Sequence, residues 1–230
     1  MPRVPSRNRT LERVLGWLAV LNLALVALLL ANPSFSNASR PPRGLHDPVL
    51  ALQLARNVDE VDDILGDAPS PDRETMRFKQ YVDFGFIASS TALYLLLSRL
   101  LAVSYRWGRV PAIAAAVCGL AAAGLGIAEN LAILRVCDLR LNQTTQTMID
   151  SIRHASLLKY GLAILATGLF ASYFLPDPRR IMRLAGALSI LAVGLGLLGF
   201  VDNNFFSYAG IPWLGGLLCI AGMFFRPGMS

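Results

Sequence analysis

The chain has little charge for its length. Only 16% of its 230 residues are charged, against roughly 25% in an ordinary soluble domain. Hydrophobic residues make up 54%, and beyond position 82 the few acidic residues mostly fall between long apolar runs. So little charge cannot cover a water-facing surface, and the composition excludes an ordinary soluble globular protein.

Cysteine and histidine are also scarce. The cysteines are Cys118, Cys137 and Cys219, and the histidines are His46 and His154. No Cys-x-x-Cys or Cys/His spacing is present, which argues against a disulfide framework and against a metal site. No phosphate-cradling motif occurs either. We therefore expect no metal and no cofactor.

The net charge of +6 does not indicate nucleic acid. The basic residues cluster at the ends of apolar segments, where they act as topology signals and do not form a phosphate-binding stripe. We therefore expect the protein to contact the lipid bilayer and not to bind nucleic acid.

Six apolar runs are candidate membrane spans, since crossing a bilayer takes about 20 residues for about 30 Å. They cover residues 15–31, 82–103, 110–136, 155–175, 182–201 and 211–225. Pro111, Pro176 and Pro212 would mark helix starts or ends. The sequence predicts an all-α, six-helix transmembrane bundle, with residues 1–230 forming a single integral membrane domain.

The first run leaves two alternatives open. Its basic start, its apolar stretch and the small residues Ser36-Asn37-Ala38 are compatible with a cleaved signal peptide. The apolar stretch of about 17 residues exceeds the usual 7–15 of a signal peptide. This length favours an uncleaved anchor helix.

The orientation in the membrane follows from the short loops, because loops rich in lysine and arginine stay in the cytoplasm. With both termini inside, the cytoplasmic loops collect Arg109, Arg179, Arg180 and Arg183. The outer side then carries most of the acidic residues. A short loop from Asp202 to Gly210, between the fifth and sixth spans, is expected on the same side. The Arg-rich, Lys-poor composition is compatible with a bacterial source, so we expect a multi-pass protein of the bacterial inner membrane.

The segment 48–65, between the first two spans, has the pattern of an extracytoplasmic amphipathic helix. Asp47-Pro48 is a start signal and Gly66 a candidate C-cap. One apolar stripe is formed by Leu50, Leu54, Val58, Val61 and Leu65. The helix would shield the bundle or act as a lid over an outer-leaflet site. Ser70-Pro71 starts a further helix that is expected to run unbroken into the second span.

Charged residues inside a bilayer are costly and are therefore candidates for function. The predicted spans contain Asp83, Glu129 and Lys159, with Asn130 beside Glu129. All lie in the outer half, and Asp202 and Asn203 follow the fifth span. We expect Glu129 and Lys159 to approach each other, with Asp83 close by. They would form a structural ion pair or carry a ligand or catalytic role, and Asp83 would alternatively be exposed at the interface.

A resemblance rests on Asp83-Phe84-Gly85-Phe86, Glu129-Asn130 and Lys159. This order of motifs resembles a loose group of small bacterial multi-pass membrane proteins with an Asp-Phe, a Glu-Asn and a Lys helix. It covers roughly residues 50–175. The group implies no known activity.

Two functions follow as hypotheses. The first is a non-enzymatic membrane protein, either a subunit of a larger membrane assembly or a binder of a lipid-like ligand in the outer leaflet. The alternative is an intramembrane enzyme acting on a lipid or isoprenoid, with Glu129 as general base and Lys159 as its charge partner. A pocket containing Glu129 would favour the enzyme, and a closed ion pair would favour a structural role.

Overall fold

The computed structural model describes residues 9–31, 35, 45, 47–104 and 109–225. Ser36-Asn37-Ala38 and His46 lie outside the described residues. Within these ranges the chain is helical, without strands. The helices are α1 (Arg9–Leu30), α2 (Pro48–Gln53), α3 (Val58–Leu65), α4 (Pro71–Ser104), α5 (Arg109–Cys137), α6 (Gln146–Phe174), α7 (Arg180–Leu198) and α8 (Asn204–Phe225).

Six of these helices, α1 and α4 to α8, are long and apolar enough to cross a membrane. Each of the six predicted spans overlaps one of them. The protein is thus a polytopic helical membrane protein, as the apolar runs predicted. The helices form a ring, in which each packs on the next in the order α1, α4, α5, α6, α7, α8, and α8 returns to α1.

The short helices α2 and α3, here called the cap, cover one end of the ring. At this capped end α4 and α6 begin and α5 ends. The predicted apolar stripe is turned inward, with Leu54 2% and Leu65 0% exposed. It packs against Met76 of α4 and Ile133 of α5. Burial of the stripe against membrane helices agrees with the expected amphipathic segment.

The prediction of one helix over 48–65 is wrong, because the segment breaks at residues 54–57. The Asn57 side chain accepts a hydrogen bond from the Glu60 backbone N–H at 2.9 Å, and Glu60 in turn accepts from the Arg56 backbone N–H. This pattern resembles a capping box, which starts a new helix, except that Glu60 bonds the N–H one residue before the N-cap residue Asn57. The other predicted caps are present: Asp47 accepts from the Val49 N–H, and Gly66 ends α3.

The predicted loop from Asp202 to Gly210 is also wrong, since α8 begins at Asn204 and contains Pro212. A proline inside a helix removes one backbone hydrogen bond. The two additional turns before it place aromatic surface against the neighbouring helices. Phe206 stacks on Tyr160 at 4.7 Å between ring centroids, and its ring lies 5.2 Å from that of Phe200. Pro176 follows α6 as predicted, and Pro111 lies in the first turn of α5.

Close helix contacts depend on glycine at two positions facing the centre of the ring. A Cβ on Gly119 of α5 would lie 2.8 Å from the Tyr94 ring of α4, and one on Gly196 of α7 would lie 2.7 Å from Ile164 of α6. Away from the cap, a separate cluster of buried apolar residues, which includes Leu93, Phe170 and Ile220, packs inside the ring. Among the described residues, the end opposite the cap is therefore packed with apolar side chains.

Candidate functional site

The two charged residues of α5 and α6 form a buried ion pair. Nζ of Lys159 lies 2.7 Å from Oε2 and 2.9 Å from Oε1 of Glu129. The Glu129 side chain is 0% exposed and that of Lys159 is 17% exposed. Charges in a low-dielectric interior must be paired to be tolerated. The expected approach of these side chains is present in the structure.

The cap takes part in this pair. Gln53, at the end of α2, donates from Nε2 to Oε1 of Glu129 at 2.5 Å. The Tyr160 hydroxyl in turn donates to Oε1 of Gln53. Sequence reasoning missed both residues. A signal existed for Gln53, because it lies three residues after Leu50 and so falls on the apolar stripe, where a polar side chain needs a buried partner.

A separate hydrogen bond joins α4 to α5. Nδ2 of Asn130 donates to Oδ2 of Asp83 at 2.8 Å, and Asn130 is 0% exposed. The adjacent residues Glu129 and Asn130 thus contact different neighbours, α6 and α4 respectively. The structure brings together Asp83, Glu129, Asn130 and Lys159, as expected.

A cavity of about 340 Å³ lies inside the ring, next to these residues. Five membrane helices and the cap contribute side chains, among them Gln53, Asp83, Lys159, Tyr160, Ser90, Thr91, Tyr94, Ala123, Ala163, Thr167, Gly196, Phe206 and Trp213. This volume falls at the lower end of the range for small-molecule sites, roughly 300–1,000 Å³.

The cavity is polar at one end and largely apolar beyond it. Asp83, Lys159 and Tyr160 lie toward the cap. From Lys159 the wall continues along α6 to Thr167, about 12 Å farther at about 1.5 Å per residue. Along α4 it extends from Asp83 to Tyr94, about 16 Å by the same measure. The arrangement matches the shape of an amphiphile, with one polar end and one apolar chain.

Not every candidate residue reaches the cavity. Glu129 and Asn130 are absent from its lining, whereas their partners Lys159, Gln53 and Asp83 line it. Asp202 and Asn203 lie in the link between α7 and α8, where Asp202 accepts a hydrogen bond from the Asn204 backbone N–H at 3.0 Å. These two residues are not part of the charged cluster.

A buried arginine fastens the cap to the bundle. Arg73 is 1% exposed. Its guanidinium donates to the Gly66 carbonyl through Nε at 3.0 Å and Nη2 at 2.7 Å, and to the Val136 carbonyl through Nη1 at 2.9 Å. These carbonyls belong to the ends of α3 and α5, where a cation is favoured by the helix dipole. Arg73 thereby holds the cap over the polar end of the cavity.

Within the described part of the chain, no group of three or more His, Cys, Asp and Glu residues could hold a metal ion. Comparison with protein-family models, with curated proteins and with solved structures gives no match to this chain. The resemblance to a group of small bacterial membrane proteins therefore stays an expectation from the sequence.

Proposed function

We propose that the protein binds a lipid-like amphiphile inside its helix ring, with the polar end of the ligand at the cap and the apolar chain running toward the centre of the bilayer. One observation carries this proposal. The cavity of about 340 Å³ has a charged residue from each of α4 and α6 at one end and an extended apolar wall beyond them.

The geometry supports binding over general-base catalysis by Glu129. A general base must come within hydrogen-bond reach of the proton it removes. Both Glu129 oxygens lie within 2.9 Å of Lys159 Nζ, and Glu129 does not line the cavity. The enzyme alternative would require this pair to open and Gln53 to leave its place.

The cap would cover the ligand. Gln53 both lines the cavity and bonds to Glu129 and Tyr160. Movement of α2 would therefore expose the polar end of the cavity. On the arginine pattern of the loops we place the capped end outside a bacterial inner membrane, so the ligand would come from the outer leaflet. A role as a subunit of a membrane assembly stays a sequence-based hypothesis.

The test is to purify the protein from its native membrane and to identify bound lipids by mass spectrometry. Wild type should carry one lipid class, enriched over the bulk membrane and near one molecule per chain. Ala123→Phe and Ala163→Phe fill the cavity from α5 and α6 and should abolish this enrichment. Ala121→Phe is the matched control, because Ala121 is on α5 but exposed outside the cavity.

Retention of the enriched lipid by both cavity-filling variants would refute the proposal. So would a wild-type lipid profile identical to that of the bulk membrane. Each variant must unfold at a temperature near that of Ala121→Phe for the comparison to count.

A further inference from the structure

The hydrogen-bond donors around the cavity are largely committed to the protein itself. Ser90 and Thr91 both donate to the Ile87 carbonyl, at 3.2 Å and 2.6 Å. Thr167 donates to the Ala163 carbonyl at 2.8 Å. Tyr160 donates to Gln53. Because these hydroxyl protons are used, the oxygens present mainly acceptor capacity to a ligand.

The Gln53 amide and the Lys159 ammonium are also engaged. Gln53 gives an N–H to Glu129, and Lys159 lies within ion-pair distance of both oxygens of the same carboxylate. The charges of Lys159 and Glu129 therefore balance each other. Among the cavity-lining residues, Lys159 is the only cation.

Asp83 is different, because its charge has no cationic partner in the described structure. Its one described hydrogen bond comes from Asn130 to Oδ2, which leaves Oδ1 as an acceptor at the polar end of the cavity. Lys79 lies one turn earlier on α4, but its Nζ stands 5.5 Å from the centroid of the Phe35 ring and forms no ion pair with Asp83. The polar end thus has a surplus of one negative charge.

From this balance we infer that the ligand is a cationic amphiphile, a long-chain primary amine whose ammonium group binds Asp83. This inference rests on the proposed function and specifies its ligand class. An ammonium brings three donors and a positive charge to a site rich in acceptors. An anionic head group would instead meet an unbalanced carboxylate, and a neutral alcohol would satisfy one acceptor without neutralising the charge.

The test uses Trp213, which lines the cavity. In a chain with Trp17→Phe and Trp107→Phe, Trp213 is the remaining tryptophan and its fluorescence reports on the cavity. The protein in detergent micelles is titrated with n-dodecylamine, n-dodecanol and dodecyl phosphate, which share one chain and differ in charge. We expect the amine to bind at least about tenfold more tightly than the other two.

Asp83→Asn removes the charge and retains an oxygen that can accept from Asn130. It should bring the amine and the alcohol to comparable affinity, and Asp83→Ser should do the same. Asp138→Asn is the control, because Asp138 is exposed at the capped end and does not line the cavity. It should keep the preference for the amine.

The outcomes separate the two proposals. Equal binding of amine and alcohol to wild type, lost in Ala123→Phe, overturns the amine inference and leaves amphiphile binding in place. Tighter binding of dodecyl phosphate overturns it in favour of Lys159 as the anchoring charge. A Trp213 response that is the same for all three probes in wild type and in Ala123→Phe overturns both.

Discussion

Lys159 of α6 holds Glu129 of α5 at 2.7 Å in a position where the carboxylate has no exposed surface. The contact balances two charges that lie on membrane-crossing helices. It also links the membrane helices to the cap, because the same carboxylate accepts a hydrogen bond from Gln53 of α2. One buried group thus connects three elements.

The first prediction concerns this pair. Glu129→Gln and Lys159→Met should each lower the free energy of unfolding, because each leaves a buried group without its partner, at a typical cost of about 3–5 kcal/mol. The double variant should recover much of the loss, since replacing both charges is often nearly neutral. Thermal or denaturant unfolding in detergent micelles measures the effect.

The control for these three variants is the ion pair between Arg77 and Asp138, in which the Asp138 side chain is 70% exposed. Asp138→Asn should change stability by less than about 1 kcal/mol, as exposed pairs do. Single variants of Glu129 and Lys159 that are as stable as wild type would show that the pair does not hold the bundle together.

The second prediction concerns the break in the cap. In one continuous helix, Asn57→Ala would be stabilising, because alanine is the better helix former. In the structure Asn57 caps α3, so the substitution should cost about 1 kcal/mol of stability. The control is Asp63→Ala, an exposed position within α3, which should change stability little. A more stable Asn57→Ala variant would contradict the two-helix cap.

The third prediction concerns orientation. Thr147 is exposed at the capped end, and Pro178 is exposed in the link between α6 and α7 at the opposite end. The native cysteines Cys118, Cys137 and Cys219 are buried. In intact cells, Thr147→Cys should react with a membrane-impermeant maleimide and Pro178→Cys should react only after lysis. The reverse pattern would invert the topology that the arginine residues indicate.

The sequence was informative where a single physical cost dominates. Apolar runs of sufficient length predicted the membrane helices, because an uncovered polar backbone cannot enter a bilayer. The cost of charge in lipid predicted that Glu129 and Lys159 would meet. Their pairing required only similar depth on helices that are consecutive in the chain.

Other features depend on competing local signals or on packing. The apolar stripe continues in register across residues 54–57, so its spacing concealed the helix start at Asn57, whose side chain caps the Glu60 N–H. Pro212 predicted a helix start, but α8 already begins at Asn204. The stacking of Phe206 on Tyr160 favours this longer helix. The cavity depends on how five helices fit around Gly119 and Gly196, which periodicity does not encode.

The last prediction concerns Arg73. Its planar guanidinium bonds to the carbonyls of Gly66 and Val136 at the same time. Arg73→Met would remove both described side-chain donors from the Gly66 carbonyl and would leave the Val136 carbonyl with the Leu139 N–H as its donor. Losing the partner of a buried acceptor costs about 1–3 kcal/mol. Hydrogen exchange of the amides in α2 and α3 should then become faster, while exchange in the centres of α5 and α6 stays slow. In Arg73→Lys, the exchange rate of the amides in α2 and α3 should lie between those of wild type and Arg73→Met, because an ammonium lacks the rigid fork that spans two helix ends.

Arg140→Met is the matched control, because Arg140 is exposed at the same end of the bundle and its loss removes the same charge. It should leave exchange in the cap unchanged. If Arg73 fastens the cap over the cavity, Arg73→Met should also speed the entry of an amphiphile detected by Trp213 fluorescence, without changing the preference among head groups. Cap amides that exchange as slowly in Arg73→Met as in wild type would mean that the apolar stripe alone holds α2 and α3 in place.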